Sequence, residues 1–143
     1  MKASGLKQRI RDRKTVVGLG APISANRDYF QRALDQEAYE FVFTDGQHSA
    51  VNDSQLVAFC ALADEFDLPV RFRPKHALHC SLIGNFLDFG VGGVEIPQTE
   101  CEQTAYEAIE NFYYPPIGRR SLGGGARLKI ENYADSHLYA DWW

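Results

Sequence analysis

The sequence has little cysteine: Cys60, Cys80 and Cys101 stand far apart, and no C-x-x-C pair occurs. That spacing supports neither a zinc knuckle nor a thioredoxin-like site. Buried free thiols are the expectation for all three. Long apolar runs are absent too. No stretch approaches the ~18 apolar residues needed to span a bilayer. The basic segment from Lys2 to Lys14 is followed by neither an apolar stretch nor a small-residue cleavage site, so it does not read as a secretory signal. Elsewhere the basic residues are scattered and the formal net charge is −4, which leaves no electropositive face for a nucleic acid. A cytoplasmic setting is expected, with neither membrane nor nucleic acid as partner.

What is present is an ordinary globular composition, 45% hydrophobic and 24% charged, in 143 residues. A chain of that size can bury one core of its own. Strand and helix patterns alternate along it. A short basic helix carries Leu6 and Ile10 on one face and ends near Lys14. Thr15 to Gly20 then reads as a buried strand, apolar, β-branched and bounded by glycine. Ser24 to Asn26 can cap a helix through Tyr29, Phe30, Ala33 and Leu34.

The unit then repeats. Tyr39 to Thr44 forms a second strand, and Asp53 or Ser54 caps a helix through Leu56, Phe59, Leu62, Ala63 and Phe66. Leu68 to Arg73 forms a third strand, stopped by Pro74. A helix through Leu78, Leu82, Ile83 and Phe86 follows and closes at Gly90. Gly93 to Ile96 is a fourth strand, and Thr99 opens a helix that Pro115-Pro116 ends.

Four βα units in succession imply an α/β fold with a parallel sheet. The pattern alone allows an open doubly wound sheet or half of an eight-stranded (βα) barrel of the TIM type. A closed barrel needs at least ~200 residues, more than this chain has. The expectation is one domain over residues 1–143, the N-terminal half of a (βα)8 barrel with a glycine-rich loop, Gly118 to Arg127, and a tail. A half barrel exposes a strand edge and apolar surface, so a partner half is expected, from another copy or from chain beyond Trp143.

Polar residues collect where such folds place their chemistry. Asp45, Gln47 and His48 follow the second strand, Arg73 ends the third, and Gln98 follows the fourth, all at carboxyl ends of parallel strands. Gly46 permits a sharp turn that can swing His48 back towards Asp45, the arrangement of a general base. Arg73 can grip a carboxylate or enolate oxygen, or pair with a neighbouring strand's acid; Arg71, two residues earlier, invites the second reading. His76, His79 and Cys80 share a helical spacing but lack a fourth ligand, which favours ordinary histidines over a metal site. The glycine run after Arg119-Arg120 lacks the Gly-Lys-Ser/Thr ending of a phosphate-binding Walker loop.

Taken together, several stretches resemble the HpcH/HpaI aldolase family: Thr44-Asp45-Gly46-Gln47-His48-Ser49, Leu82 to Gly90, Gly93 to Pro97, and Phe112 to Ser121 with the glycines that follow. The resemblance is collinear over nearly the whole chain. It implies a (βα) barrel, oligomeric assembly, and cleavage of 4-hydroxy-2-oxo acids to pyruvate and an aldehyde with a divalent metal (Mg, Mn or Co). It implies His48 as acid/base with Asp45 as its partner, Arg73 on the keto or enolate oxygen, Asp88 on the aldehyde side of a neighbouring subunit, and Gly124 facing the pyruvate carboxylate. Gln47 stands where the family commonly has Glu. The metal-binding Glu and Asp are expected beyond residue 143, which implies a fragment inactive by itself. A non-catalytic half-barrel assembly module and a citrate-lyase-β-like lyase acting on coenzyme A thioesters are the alternatives.

Overall fold

The computed structural model describes residues 3–121. Gly124, the rest of the glycine-rich loop and the tail lie outside the described residues. Along the chain come α1 (Ala3–Arg11), β1 (Gly18–Gly20), α2 (Arg27–Leu34), β2 (Phe41–Asp45), α3 (Asp53–Asp64) and β3 (Val70–Arg73). A short 3-10 helix (Ala77–Leu82) then runs into α4 (Ile83–Asp88), followed by β4 (Val91–Val94) and α5 (Glu102–Phe112). Among the described residues no helix is long and apolar enough to cross a membrane.

All neighbouring strands pair in parallel, and their order in the sheet is β1-β2-β3-β4. A doubly wound sheet reverses its strand order at a switch point. This one never does. Each strand is added on the same side of the last, as in a barrel wall, so the fold is an α/β half barrel.

The two faces of the sheet differ because side chains alternate along a strand. Leu19, Val42, Thr44, Val70 and Phe72 face the helices and are buried, packed with Phe30, Leu56, Phe59, Ala63 and Phe86. Phe30 is fully buried, with ring centroids 5.4 Å from Phe66 and 5.7 Å from Phe59. On the opposite face, Phe41, Phe43, Asp45 and Arg73 are half-buried and Arg71 is exposed. That face would line a barrel. A Cβ added at Gly20 or Gly93 would meet no atom within 4 Å, so the face is open at both ends of the sheet.

Several expected boundaries move for local reasons. Asn52 caps α3, in place of Asp53 or Ser54: its side chain accepts the Gln55 N–H at 2.9 Å, and the Gln55 side chain accepts the Asn52 N–H at 3.1 Å. The helix expected to open at Thr99 starts at Glu102 instead. Gln98 takes a left-handed φ of 51°, and the Thr99 hydroxyl donates to the Ile96 carbonyl at 3.3 Å, so these residues close a turn. The first strand is shorter than Thr15 to Gly20, because only Gly18, Leu19 and Gly20 pair with β2.

The thiols divide. Cys60 and Cys80 are buried as expected, but Cys101 is exposed at the start of α5. Burial raises the Cys80 pKa, while a hydrogen bond with the Thr104 hydroxyl lowers that of Cys101. The thiolate is the nucleophile. Iodoacetamide should therefore modify Cys101 at least about tenfold faster than either buried thiol in the folded protein. Peptide mass spectrometry reads this directly, and equal rates at the three positions would contradict the packing.

Candidate active site at the carboxyl rim

Asp45 and Arg73 end adjacent strands in matching register. Their side chains share the open face, and the guanidinium meets the carboxylate with two bonds: Nε donates to Oδ1 at 2.9 Å and Nη2 to Oδ2 at 2.7 Å. This planar fork-to-carboxylate fit is the strong form of the pairing. The Gln47 N–H donates to Oδ1 at 2.8 Å, and the Arg73 guanidinium lies 5.8 Å from the centre of the Phe43 ring. Arg73 is thus held on two sides. Its Nη1 lies 4.0 Å from Glu95, beyond hydrogen-bond reach, and keeps an edge available.

Gly46 makes this corner possible. Its N–H donates to the Arg73 carbonyl at 2.7 Å, closing the ends of β2 and β3. A Cβ there would lie 2.9 Å from that same carbonyl oxygen and 2.8 Å from the Phe72 ring. The following turn carries His48 to the rim, where it is exposed. Asp45 makes its side-chain bonds with Arg73 and the Gln47 N–H; the expected hydrogen bond to His48 is not formed. The reason is geometric. Arg73 sits directly across the ladder from Asp45, whereas His48 lies beyond a turn.

The same contacts set the charge state. The Arg73 hydrogen bond pulls the Asp45 pKa down to about 2, with smaller help from the Gln47 N–H and from the Arg73 and His48 charges, against desolvation. A carboxylate whose pKa is lower folded than unfolded adds stability above its unfolded value. Here that contribution is complete above the ordinary value of 3.8 and is lost as pH falls through about 2. Asp45→Asn should therefore destabilise the protein in urea at pH 6 and make little difference near pH 2. A destabilisation of equal size at both pH values would count against the ion pair as its source.

Glu95 is the residue that the sequence reading passed over. Its Oε2 takes the Arg71 Nη2 at 2.6 Å, and its Oε1 faces Arg73. Arg71, Arg73, Asp45 and Glu95 thus form a ladder of alternating charge across β2, β3 and the end of β4. The signal was available: Glu95 stands two residues before Pro97, and strand alternation applied to it as to Arg71 and Arg73 puts it on the same face.

Asp88 does not join this group. Helix α4 returns from the carboxyl end of β3 to the amino end of β4, so Asp88 lies at the opposite end of the sheet. There Arg120 Nη2 donates to its Oδ1 at 2.6 Å, and the Arg120 guanidinium stacks 4.6 Å from the Tyr114 ring centre. The side chains of His76, His79 and Cys80 are engaged locally. His76 Nδ1 accepts the Leu78 N–H at 3.1 Å, His79 Nδ1 accepts the His76 N–H at 3.2 Å, and Cys80 is buried near the Thr104 carbonyl. Among the described residues no three His, Cys, Asp or Glu side chains gather to hold a metal. A cleft of about 140 Å³ beside the rim is lined by Asn52, Asp53, Pro74, Lys75 and His79, among others. The Asp45–Arg73 pair does not line it.

No family model matches the sequence. Among curated proteins, the chain is similar to the 2-keto-3-deoxy-L-rhamnonate aldolases of Klebsiella pneumoniae, 31% identical over 124 residues, and of Salmonella typhi, 30% identical over 136. Those alignments cover 80% and 89% of this chain but 45% and 48% of the relatives, so it spans about half their length. Among solved structures, the fold matches an HpcH/HpaI aldolase from Desulfitobacterium hafniense with a TM-score of 0.76 and 24% identity. That match covers 95% of this chain and 52% of the other. Macrophomate synthase matches with a TM-score of 0.69 at 24% identity, over 96% of this chain and 49% of its own. The collinear motifs, the unreversed strand order and the curated relatives agree, and the chain belongs to the HpcH/HpaI aldolase family, of whose longer members it corresponds to the N-terminal half.

Proposed function

We propose that this chain carries the 2-oxo-acid side of a class II pyruvate aldolase site, which cleaves 4-hydroxy-2-oxo acids to pyruvate and an aldehyde. The observation that carries this reading is Arg73, clamped by Asp45 at the rim with one guanidinium edge free, while His48 is exposed on the turn that follows β2. Clamping fixes the guanidinium before substrate arrives, so its free edge can stabilise the keto oxygen as it gains enolate charge. Exposed on the next turn, His48 moves the proton at the substrate hydroxyl. Asp45 acts on Arg73 as a positioning residue. Gly124, outside the described residues, is proposed to face the pyruvate carboxylate.

Asp88 cannot reach the rim of its own sheet, so a role on the aldehyde side requires a neighbouring copy and a homo-oligomer. A divalent metal (Mg, Mn or Co) belongs to the proposed complete enzyme, but the described residues do not fit one. Asp45 and Glu95, the rim acids, are both engaged by arginine. No step above is routed through a metal.

Pyruvate binding by the 143-residue chain, read by ligand-observed NMR with and without Mg²⁺ or Mn²⁺, tests the reading. Binding at the rim with background cleavage of a 4-hydroxy-2-oxo acid is expected. Absence of pyruvate binding under every condition would reject the site. Metal-dependent cleavage by this chain alone would overturn the assignment of the ligands to chain beyond it.

A second reading, a non-catalytic assembly module, draws on the two free edges, β1 and β4, that the described sheet presents. Such a module would self-associate in size-exclusion chromatography and bind no oxo acid.

A further inference from the structure

Among the described residues the rim holds two arginines, Arg71 and Arg73, and one of them, Arg73, keeps a guanidinium edge for a substrate. Arg71 and Arg73 point the same way from β3, two residues and so roughly 7 Å apart along the strand. That spacing suits the keto group and the far carboxylate of a five-carbon 2-oxo diacid. Two guanidinium groups so placed would hold a second carboxylate as readily as the first oxygen.

Glu95 alters that outcome. Its Oε2 occupies Arg71 at 2.6 Å, and its Oε1 lies 4.0 Å from Arg73 Nη1, so its charge stands between the two arginines. Its side chain is 34% exposed and that of Arg71 is 48% exposed, so the pair faces the open side of the sheet, where an incoming ligand meets it. Counted together, Arg71, Arg73, Asp45 and Glu95 sum to zero. An incoming anion therefore finds one available guanidinium edge, and a second carboxylate finds a carboxylate already in its place.

We propose that Glu95 is a positioning residue that sets the charge class of the substrate: by occupying Arg71 it makes the rim accept 2-oxo monoacids and turn away 2-oxo diacids. This rests on the reading of Arg73 as the oxo-acid anchor. Rejection of the diacid comes from a repulsive group as much as from a missing attractive one.

The test uses two probes of equal chain length, 2-oxopentanoate with one carboxylate and 2-oxoglutarate with two. Affinities are measured by NMR titration for the 143-residue chain and for Glu95→Gln, Glu95→Asp, Arg71→Gln/Glu95→Gln and Arg73→Ala/Glu95→Gln. The wild-type chain should favour the monoacid by about tenfold or more, the scale of one unpaired charge near a surface. Glu95→Gln should remove or reverse that preference by tightening the diacid. Glu95→Asp should retain it, and loss of Arg71 as well should cancel the gain. Urea midpoints confirm folding, since Arg71 freed of its partner remains hydrated.

A change in Glu95→Gln that affects both acids equally, or neither, overturns the proposal and leaves the oxo-acid site standing. A diacid gain that survives Arg73→Ala keeps the role of Glu95 and removes that of Arg73. Failure of every protein to bind either acid removes both.

Discussion

Arg73→Ala is expected to abolish measurable pyruvate binding, a loss of at least about 100-fold, while the chain still folds. Hydrogen bonds to a charged group are each worth about 1.5–3 kcal/mol, and the substitution deletes the whole guanidinium edge. Arg73→Lys keeps the charge but not the fork, so Asp45 can no longer hold the cation in a fixed plane. The lysine variant should therefore bind pyruvate more weakly than wild type yet better than alanine. Asp45 reports the change independently. Freed from the Arg73 hydrogen bond that holds its pKa near 2, its carboxyl should return towards the ordinary 3.8, visible in a ¹³C titration. Wild-type pyruvate affinity in Arg73→Ala would remove Arg73 from the site whatever Asp45 does.

Phe30→Ala should cost the most stability, about 3–5 kcal/mol, by opening a cavity where a ring now fills the layer between sheet and helices. Phe30 has no exposed surface, stacks on Phe66 at an interplanar angle of 15° and leans on Phe59 at 59°. It projects from α2, whose capping residue Asn26 accepts the Tyr29 N–H at 3.0 Å and sets the helix's starting phase. Domain stabilities run at about 5–15 kcal/mol, so much of the margin would disappear. The urea midpoint should fall by on the order of 2 M, given typical slopes of about 1–3 kcal/mol per molar. A shift below about 0.5 M would mean that α2 is not part of the cooperative core.

These two residues also mark how far the sequence could be read. Phe30 was legible from helical spacing, and the strands bearing Val42, Val70 and Phe72 from their β-branched and aromatic content. The placement of Asp45, His48 and Arg73 at one rim followed from parallel βα order alone. The partnership of Asp45 was not legible. A D-x-x-H string suggests a local Asp–His pair, but the residue opposite on the next strand is closer than one beyond a turn, and ladder register is a tertiary quantity. The face of Glu95 was legible from strand alternation, but its partner was not: the register sets Gly93 opposite Arg71, and Glu95 reaches Arg71 diagonally from the neighbouring strand. The exposed Cys101 departed from the composition rule because it occupies a helix start that packing leaves open.

By itself the sequence determined the alternation of βα units, the half-barrel length, the buried faces of the helices and the family resemblance. All of these rest on local periodicity and short collinear motifs. Only the tertiary structure decided the rest. An unreversed strand order excluded the doubly wound sheet, strand register gave Asp45 to Arg73, strand adjacency brought Glu95 diagonally to Arg71, and the return path of α4 put Asp88 at the far end from the rim. The physical reason is that parallel pairing joins residues from different βα units. Which side chains face one another across the sheet is fixed by register and strand order, and neither is encoded in any single local segment.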